Sequence, residues 1–347
     1  MPANLSPEYR QAEQAFRSAH DSRARLECLK QMLRAIPKHK GTEHIQADIK
    51  SRIRQLTREL STPHKGPTHA GTGYAISHEG VAQVCLVGPP NAGKSSLHAL
   101  LTGSKAEIAP FPYTTREPLP GLLPFEDIAF QLIDLPPTSA ERLEQSLAGL
   151  LQATDAAWLV IDLADPACSE HVLAICRQLK QQGITLSDRW PGLDRPAQAG
   201  EPPAADEEPP PGPFAVALPT LLLANKSDLD PDPDEIDVLE DLTGVRFPAM
   251  ATSAVTGAGI GRLAPFLFNA LGIVRVYTKA PGKPPEKTRP FPLRRGATVL
   301  DVARLVHQDL AGTLKFARIW GSGAFEGQQV GPDHLVADGD VVELHTR

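Results

Sequence analysis

Residues 88–95 read Gly-Pro-Pro-Asn-Ala-Gly-Lys-Ser, the spacing G-x-x-x-x-G-K-[ST]. A glycine-rich turn that feeds a helix aims several backbone N–H groups at one point, and the helix dipole favours an anion there. The implied chemistry is a phosphate cradle. Gly88, Pro89, Pro90, Asn91, Ala92 and Gly93 form the loop, Lys94 would reach β- and γ-phosphates, and the Ser95 hydroxyl would ligate Mg²⁺. Ser96, one residue on, is counted with the nucleotide contacts. The flanks agree with this reading: 81–87 is an apolar run of strand length, and Ser96-Leu97-His98-Ala99-Leu100-Leu101 opens a helix.

A second group of residues names the base. Asn225-Lys226-Ser227-Asp228 follows the apolar run Thr220-Leu221-Leu222-Leu223-Ala224, at the carboxyl end of a strand, where open α/β sheets bind ligands. A carboxylate at Asp228 accepts hydrogen bonds from guanine N1–H and the 2-amino group; adenine offers neither, so the wrong base leaves the site unpaired. The Lys226 stem packs on the ring and Asn225 ties loops together. Backbone N–H groups of Thr252-Ser253-Ala254 could reach guanine O6. Asp134 closes the strand 128–134 and would hold a metal-bound water opposite Ser95. The loop Phe111-Pro112-Tyr113-Thr114-Thr115-Arg116-Glu117 supplies Tyr113 and Thr114 to the nucleotide. Thr115 would give a hydroxyl to Mg²⁺ and an N–H to the γ-phosphate, with Thr114 the alternative. The expected catalytic residues are Lys94, Thr115 and Asp134; the expected metal ligands are Ser95 and Thr115.

The elements that must position these groups follow from periodicity. Strand signals at 81–87, 119–125, 128–134, 156–162, 219–225 and 247–252 alternate with helical stretches near 96–102, 139–153, 168–182, 235–242 and 259–271. Such alternation predicts an α/β domain, a mostly parallel sheet with helices on both faces, over 81–272. Residues 187–213, rich in Pro, Gly, Asp, Glu and Ala, read as a disordered surface insertion. Before this domain, Ser6-Pro7-Glu8 opens a helix whose apolar positions run to Ile36, ended by Pro37. Ile45, Ile49, Ile53, Leu56 and Leu60 mark a second, so 1–62 predicts a helical hairpin joined by a linker, 63–80. After it, 273–347 combines a strand at 274–277, the Pro-rich stretch 281–292, a Thr298-capped helix 299–310, and strands at 317–320 and 341–345. That is a small α+β unit of β-grasp type.

Composition sets the limits. Of the net charge of −6, residues 1–65 carry +6, 66–275 carry −14 and 276–347 carry +2. Basic ends around an acidic middle suit contact with a polyanion such as RNA, and equally suit a solvated helical surface. The four cysteines, Cys28, Cys85, Cys168 and Cys176, show neither pairing nor zinc spacing, as expected of reduced thiols in a cytoplasmic protein. No apolar run approaches the ~20 residues of a membrane helix, and the first residues lack a secretory pattern.

Several stretches together resemble the developmentally regulated GTP-binding (DRG) family, a branch of the Obg-related GTPases. They are Ala35-Ile36-Pro37-Lys38-His39-Lys40-Gly41-Thr42, Pro112-Tyr113-Thr114-Thr115, Asn225-Lys226-Ser227-Asp228 and Arg275-Val276-Tyr277-Thr278-Lys279. Leu314 to Gly321 and Asp338-Gly339-Asp340-Val341-Val342 resemble its TGS domain, a β-grasp appendage. The resemblance implies binding of GTP and GDP, slow hydrolysis with Mg²⁺, ribosome or RNA association through the TGS domain and the hairpin, and a regulatory protein partner. It implies no membrane contact. In some related GTPases an Asn at the Asn91 position helps bind K⁺, so K⁺ is a second expected ion. Relatives read Asp-x-Pro-Gly at the second switch, whereas here Asp134-Leu135-Pro136-Pro137 puts a proline, which has no N–H, in place of the glycine that meets the γ-phosphate. Relatives also carry a folded insertion where 187–213 stands. A non-hydrolysing GTP/GDP-binding scaffold is the alternative function.

Overall fold

The computed structural model describes residues 6–18, 22–37, 42–61, 74, 76–104, 117–137, 145–193, 215–229, 235–244, 246–284, 286–321 and 325–346. The amino-terminal part holds three helices where the periodicity suggests two: α1 (Pro7–Ser18), α2 (Ser22–Ala35) and α3 (Glu43–Ser61). The reason is burial. Tyr9 and Ala12 share a core with Leu29, Met32, Ile36 and Ile49, which requires the chain to reverse between α1 and α2. Ser6 records the reversal, since its hydroxyl accepts from Tyr9 N at 3.2 Å and donates to Ala35 O at 3.0 Å, placing the start of α1 beside the end of α2.

The central unit alternates strand and helix: β1 (Gln83–Val87), α4 (Lys94–Thr102), β2 (Leu119–Phe125), β3 (Ile128–Asp134), α5 (Gln145–Leu151), β4 (Ala156–Asp162), α6 (Cys168–Gln181), β5 (Ile184–Ser187), β6 (Val216–Asn225), α7 (Glu235–Thr243), β7 (Ala249–Ala251) and α8 (Leu263–Ala270). The sheet runs β2-β3-β1-β4-β6-β5, with β7 also on β6, and β2 is its antiparallel strand. Central strands are buried on both faces, as a parallel sheet with two helical layers demands. In β4, Trp158 and Val160 face one core with Leu97, Phe130 and Leu267, while Leu159 and Ile161 face the other with Ile175 and Leu179.

One expectation needs correcting. The stretch read as a disordered insertion begins with an ordered, packed segment. Ser187 ends β5, and Trp190 is 4 % exposed with its ring edge-on to Phe266 at 5.1 Å. Gly192 N donates to Ala270 O at 2.8 Å. Polar, proline-rich composition masked one large aromatic that belongs to the core; residues 194–213 lie outside the described residues. Trp190→Ala is expected to cost about 3–5 kcal/mol and Trp190→Phe much less, because the buried indole N–H has no hydrogen-bond partner among the described residues. Denaturant unfolding of both variants checks this.

The carboxyl-terminal unit comprises β8 (Ile273–Thr278), β9 (Glu286–Arg294), α9 (Val299–Val306), α10 (Gln308–Thr313), β10 (Leu314–Trp320), β11 (Gln328–Val330) and β12 (Val341–Thr346). Its sheet runs β11-β10-β12-β8-β9, with β8 parallel to β12. Helix α9 packs Val299 and Val302 in a core with Val276, Ala317, Ile319 and Val342, and starts at the expected capping box of Thr298 with Asp301. The single expected helix is broken at His307, which is extended and whose Nδ1 accepts from Asp309 N at 3.3 Å to start α10. The Pro-rich stretch is largely strand β9. It lies at the sheet edge, where Pro290 and Pro292 cost no ladder bond to a further strand. None of the four cysteines, all of them described, forms a disulfide. Burial pushes the Cys85 thiol up to about 12, making it a core side chain and not a nucleophile. No described helix is long and apolar enough to cross a membrane.

Candidate functional site

The carboxyl ends of β1, β3, β4 and β6 converge because these strands are parallel and in register: Leu86 pairs with Asp134, and Asp162 with Asn225. The 88–95 loop leaves β1 at that edge and enters α4 at Lys94. Its two bounding glycines are needed for different reasons. A Cβ on Gly88 would meet Val160 O at 2.2 Å. Gly93 has φ 90 and abuts the Asn225 side-chain amide, 2.1 Å from where a Cβ would stand.

Lys94 is 5 % exposed, and its Nζ donates to Gly88 O at 2.9 Å and Pro89 O at 2.8 Å. Burial lowers its pKa to about 8, an effect that Asp134 only partly opposes. Bound phosphates would restore the cation. Protonation and anion binding are therefore linked, and as pH rises through about 8 the empty loop loses the charge it must offer. Affinity for a nucleoside diphosphate is expected to fall about tenfold between pH 7 and 9. Fluorescence titration checks it, with Lys94→Arg expected to flatten the profile.

Ser95 Oγ donates to Asp134 Oδ2 at 2.6 Å, and Asp134 is buried at the end of β3. A hydroxyl and a carboxylate meeting beside a phosphate loop form an all-oxygen donor set that suits a hard cation such as Mg²⁺. His98, one turn along α4, is fully buried; its Nε2 lies 3.4 Å from Leu132 O and its Nδ1 3.1 Å from Ser104 Oγ, tying α4 to β3. Burial lowers its pKa, so the ring is a neutral packing group.

The residues expected to recognise a base surround the end of β6. Asn225 Nδ2 donates to Ala92 O at 2.9 Å, joining this loop directly to the phosphate loop, and Thr252 Oγ1 donates to Asn225 Oδ1 at 3.4 Å. Asp228 Oδ1 accepts from Ser253 Oγ at 2.5 Å, while the same hydroxyl oxygen accepts from Val255 N and Thr256 N. Thr252 N is used by Ala224 O and Ser253 N by Ala258 O. Of the three amides considered for guanine O6, Ala254 N–H is the one these bonds leave over. Lys226 adopts φ 63 and pairs with Asp162 Oδ2 at 2.7 Å. Asp162 was not foreseen from sequence; the usable signal is its place at the end of β4, opposite Asn225 in register.

The structure thus brings Lys94, Ser95 and Asp134 together, and separately joins Asn225, Asp228, Thr252 and Ser253, the two groups linked through Ala92. Ser96 lies in the first turn of α4. Tyr113, Thr114 and Thr115 lie outside the described residues. Pro137 is described, three residues beyond Asp134.

Comparison with known proteins bears on the fold and the family. Residues 83–188 match the family described as "50S ribosome-binding GTPase", and residues 274–346 match the TGS domain. Developmentally-regulated G-protein 2 of Arabidopsis thaliana is 28% identical, the match covering 88% of this chain and 87% of that protein. A GTP-binding protein of Methanocaldococcus jannaschii is 25% identical over 91% of this chain and 90% of its own length. Human Developmentally-regulated GTP-binding protein 2 is 24% identical over 88% and 94%. The chain is therefore a P-loop GTPase-domain protein with a C-terminal TGS domain, akin along about nine-tenths of its length to the developmentally regulated GTP-binding proteins.

Proposed function

We propose that this chain binds GTP and GDP, hydrolyses GTP slowly in the presence of Mg²⁺, and acts in the cytoplasm as a switch docked on RNA or the ribosome. The observation that carries the nucleotide half is the Asn225–Ala92 bond, which couples a base-selective carboxylate, held by Ser253, to a phosphate loop with its lysine buried. In this reading Gly88, Pro89, Pro90, Asn91, Ala92, Gly93 and Ser96 line the phosphates. Lys94 balances charge on the β- and γ-phosphate oxygens, and Asp134 orients the Ser95 hydroxyl. Ser95 and Thr115 hold Mg²⁺, whose charge assists the leaving diphosphate when it is bound. No glutamine adjoins Asp134 to orient water, so intrinsic turnover is slow and a regulatory protein partner has a role to fill. Asn91 is exposed on the loop with φ 62, a left-handed conformation that Asn tolerates, and in this reading its side chain serves a K⁺ ion beside the phosphates. Single-turnover hydrolysis in KCl is expected to exceed that in NaCl; equal rates remove the K⁺ role.

Docking is supported by the basic character of both ends and by the outer face of the TGS sheet. There Lys279 Nζ, paired with Glu343, lies 4.0 Å from the Trp320 ring and Phe316 stacks on His345 at 4.5 Å, side chains of the aromatic and basic kinds that nucleic acid uses. Co-sedimentation with ribosomes in GDP and in a non-hydrolysable GTP analogue tests this half; no association in either state overturns it. Pro137 favours a second reading, a GDP-biased binding scaffold without turnover. Tight binding of both nucleotides with no phosphate release, in the presence of candidate partners, would select it.

A further inference from the structure

Arg275, Tyr277 and Lys279 alternate along β8 and just past it, and the functional reading above gives the first two no task. Their period of two puts them on the sheet face opposite the core residue Val276. Lys279 stays within its own domain, paired with Glu343 at 2.9 Å. Arg275 and Tyr277 reach across to the GTPase domain. Arg275 holds Asp338 through Nε at 3.0 Å and Nη2 at 2.9 Å, lies 4.9 Å from the Phe268 ring of α8, and turns Nη1 to Glu126 and, at 3.0 Å, to Asp127. The Tyr277 hydroxyl donates to Asp127 Oδ2. Burial and Asp127 push the Tyr277 hydroxyl up to about 12, so it remains a donor at neutral pH.

Glu126 and Asp127 form the two-residue turn between β2 and β3, flanked by the Phe125–Ile128 pair. Glu126 has φ 51, a left-handed conformation ordinarily given to glycine. Strain of this kind persists where the surroundings hold it, and such sites cluster at switches. Here the holder is Arg275, whose side chain is 15 % exposed.

The position of this turn matters more than its strain. β2 and β3 pair without interruption over all seven residues, from Phe125–Ile128 at the turn to Leu119–Asp134 at the far end. That far end carries Asp134, which receives the Ser95 hydroxyl, and β2 begins four residues after Thr115. Seven residues of strand span about 20 Å. One end of the hairpin therefore meets Ser95 of the 88–95 loop, and the other is gripped by the TGS domain. A second tie differs in kind: Arg294 of β9 binds Asp155 at 2.7 Å, and Asp155 Oδ2 accepts from Gln83 N at 2.8 Å. It anchors the TGS domain to the base of β1, away from the segments expected to respond to nucleotide, and so serves as a pivot.

We propose that Arg275, Tyr277, Glu126 and Asp127 make the β2–β3 hairpin a coupling rod, through which the γ-phosphate and the seating of the TGS domain bias one another. This rests on the guanine-nucleotide reading above. These are positioning residues that act through Asp134. Packed sheets transmit displacement because they do not deform continuously. Coupling is reciprocal, so whatever the TGS domain binds must alter nucleotide preference by the same factor that nucleotide alters its binding.

The test uses the full chain with Mg²⁺, GDP and a non-hydrolysable GTP analogue. In the wild type, hydrogen exchange at 123–129 and 273–278 is expected to differ between the two nucleotides. Tyr277→Phe and Asp127→Asn, mild changes that keep the fold, are expected to bind both nucleotides. Their ratio of analogue to GDP affinity should shift by about fivefold or more, the low end of ordinary coupling factors. Arg275→Ala should shift it further. A ratio unchanged within about twofold in Tyr277→Phe and Asp127→Asn, with identical exchange at 273–278 in both nucleotides, overturns the coupling while leaving nucleotide binding intact. Failure of the wild-type chain to bind either nucleotide overturns the functional reading and the coupling with it.

Discussion

Asp228→Asn is expected to reduce GDP affinity by on the order of 10²-fold or more and to raise affinity for xanthosine diphosphate above it. The carboxylate offers two acceptors to guanine N1–H and the 2-amino group. An amide turns one acceptor into a donor, which guanine cannot use and xanthine, with a carbonyl at position 2, can. The effect is large because an unpaired polar group inside a formed site costs its full desolvation, not just one bond. Ser253 makes the prediction more specific. Its hydroxyl donates to Asp228 Oδ1 at 2.5 Å and is itself fixed by two backbone amides, so the carboxylate is already aimed before ligand arrives. Ser253→Ala should therefore weaken GDP by about tenfold without changing base preference, since it removes aim and not chemistry. Competition titrations with GDP, ADP and xanthosine diphosphate read both results. An Asp228→Asn chain that still preferred GDP would overturn the base assignment.

Lys94→Ala is expected to lower nucleotide affinity and any turnover by about 10²–10³-fold while barely changing the thermal stability of the nucleotide-free chain. The asymmetry follows from its burial. A cation this enclosed carries a desolvation cost, visible as its pKa lowered to about 8, and the bonds to Gly88 O and Pro89 O return only part of it. Removing it relieves the cost along with the bonds, so folding loses little. A bound phosphate, by contrast, loses its main counter-charge in a site shielded from water. Calorimetric melting together with nucleotide titration separates the two quantities. A large drop in melting temperature with unchanged affinity would assign Lys94 to the fold instead.

The positions of the 88–95 loop and of the Asn225-Lys226-Ser227-Asp228 segment at strand ends were legible because each is contiguous and each follows a strand whose apolar run is hard to mistake. The Thr298–Asp301 capping box was legible for the same local reason. Errors arose where distant partners overrule local composition. Trp190 sits in a polar, proline-rich stretch, yet its ring packs on Phe266 while Gly192 beside it bonds the main chain of α8. Pro290 and Pro292 argue against a strand anywhere except at an edge, and edge position is a property of the finished sheet. A single long helix up to Ile36 satisfies the local pattern, but Tyr9 finds its core only when α1 folds back on α2.

Two contacts show the limit of contiguous reading. Lys226 pairs with Asp162, 64 positions away, and Arg275 with Asp127, 148 positions away; neither pairing has a local signature. Local order in the chain determined which groups are on offer, namely the glycine-bounded loop 88–95 with Lys94 and Ser95, the segment Asn225-Lys226-Ser227-Asp228 and Pro137 after Asp134, because each depends on residue types at short fixed spacing. Tertiary structure alone decided that the cradle and the carboxylate share one hydrogen-bonded frame through Asn225 and Ala92. It alone decided that the TGS domain grips the far end of the strand carrying Asp134. The physical reason is that parallel strand order and domain docking are set by burial summed over the whole molecule, which no short window of sequence contains.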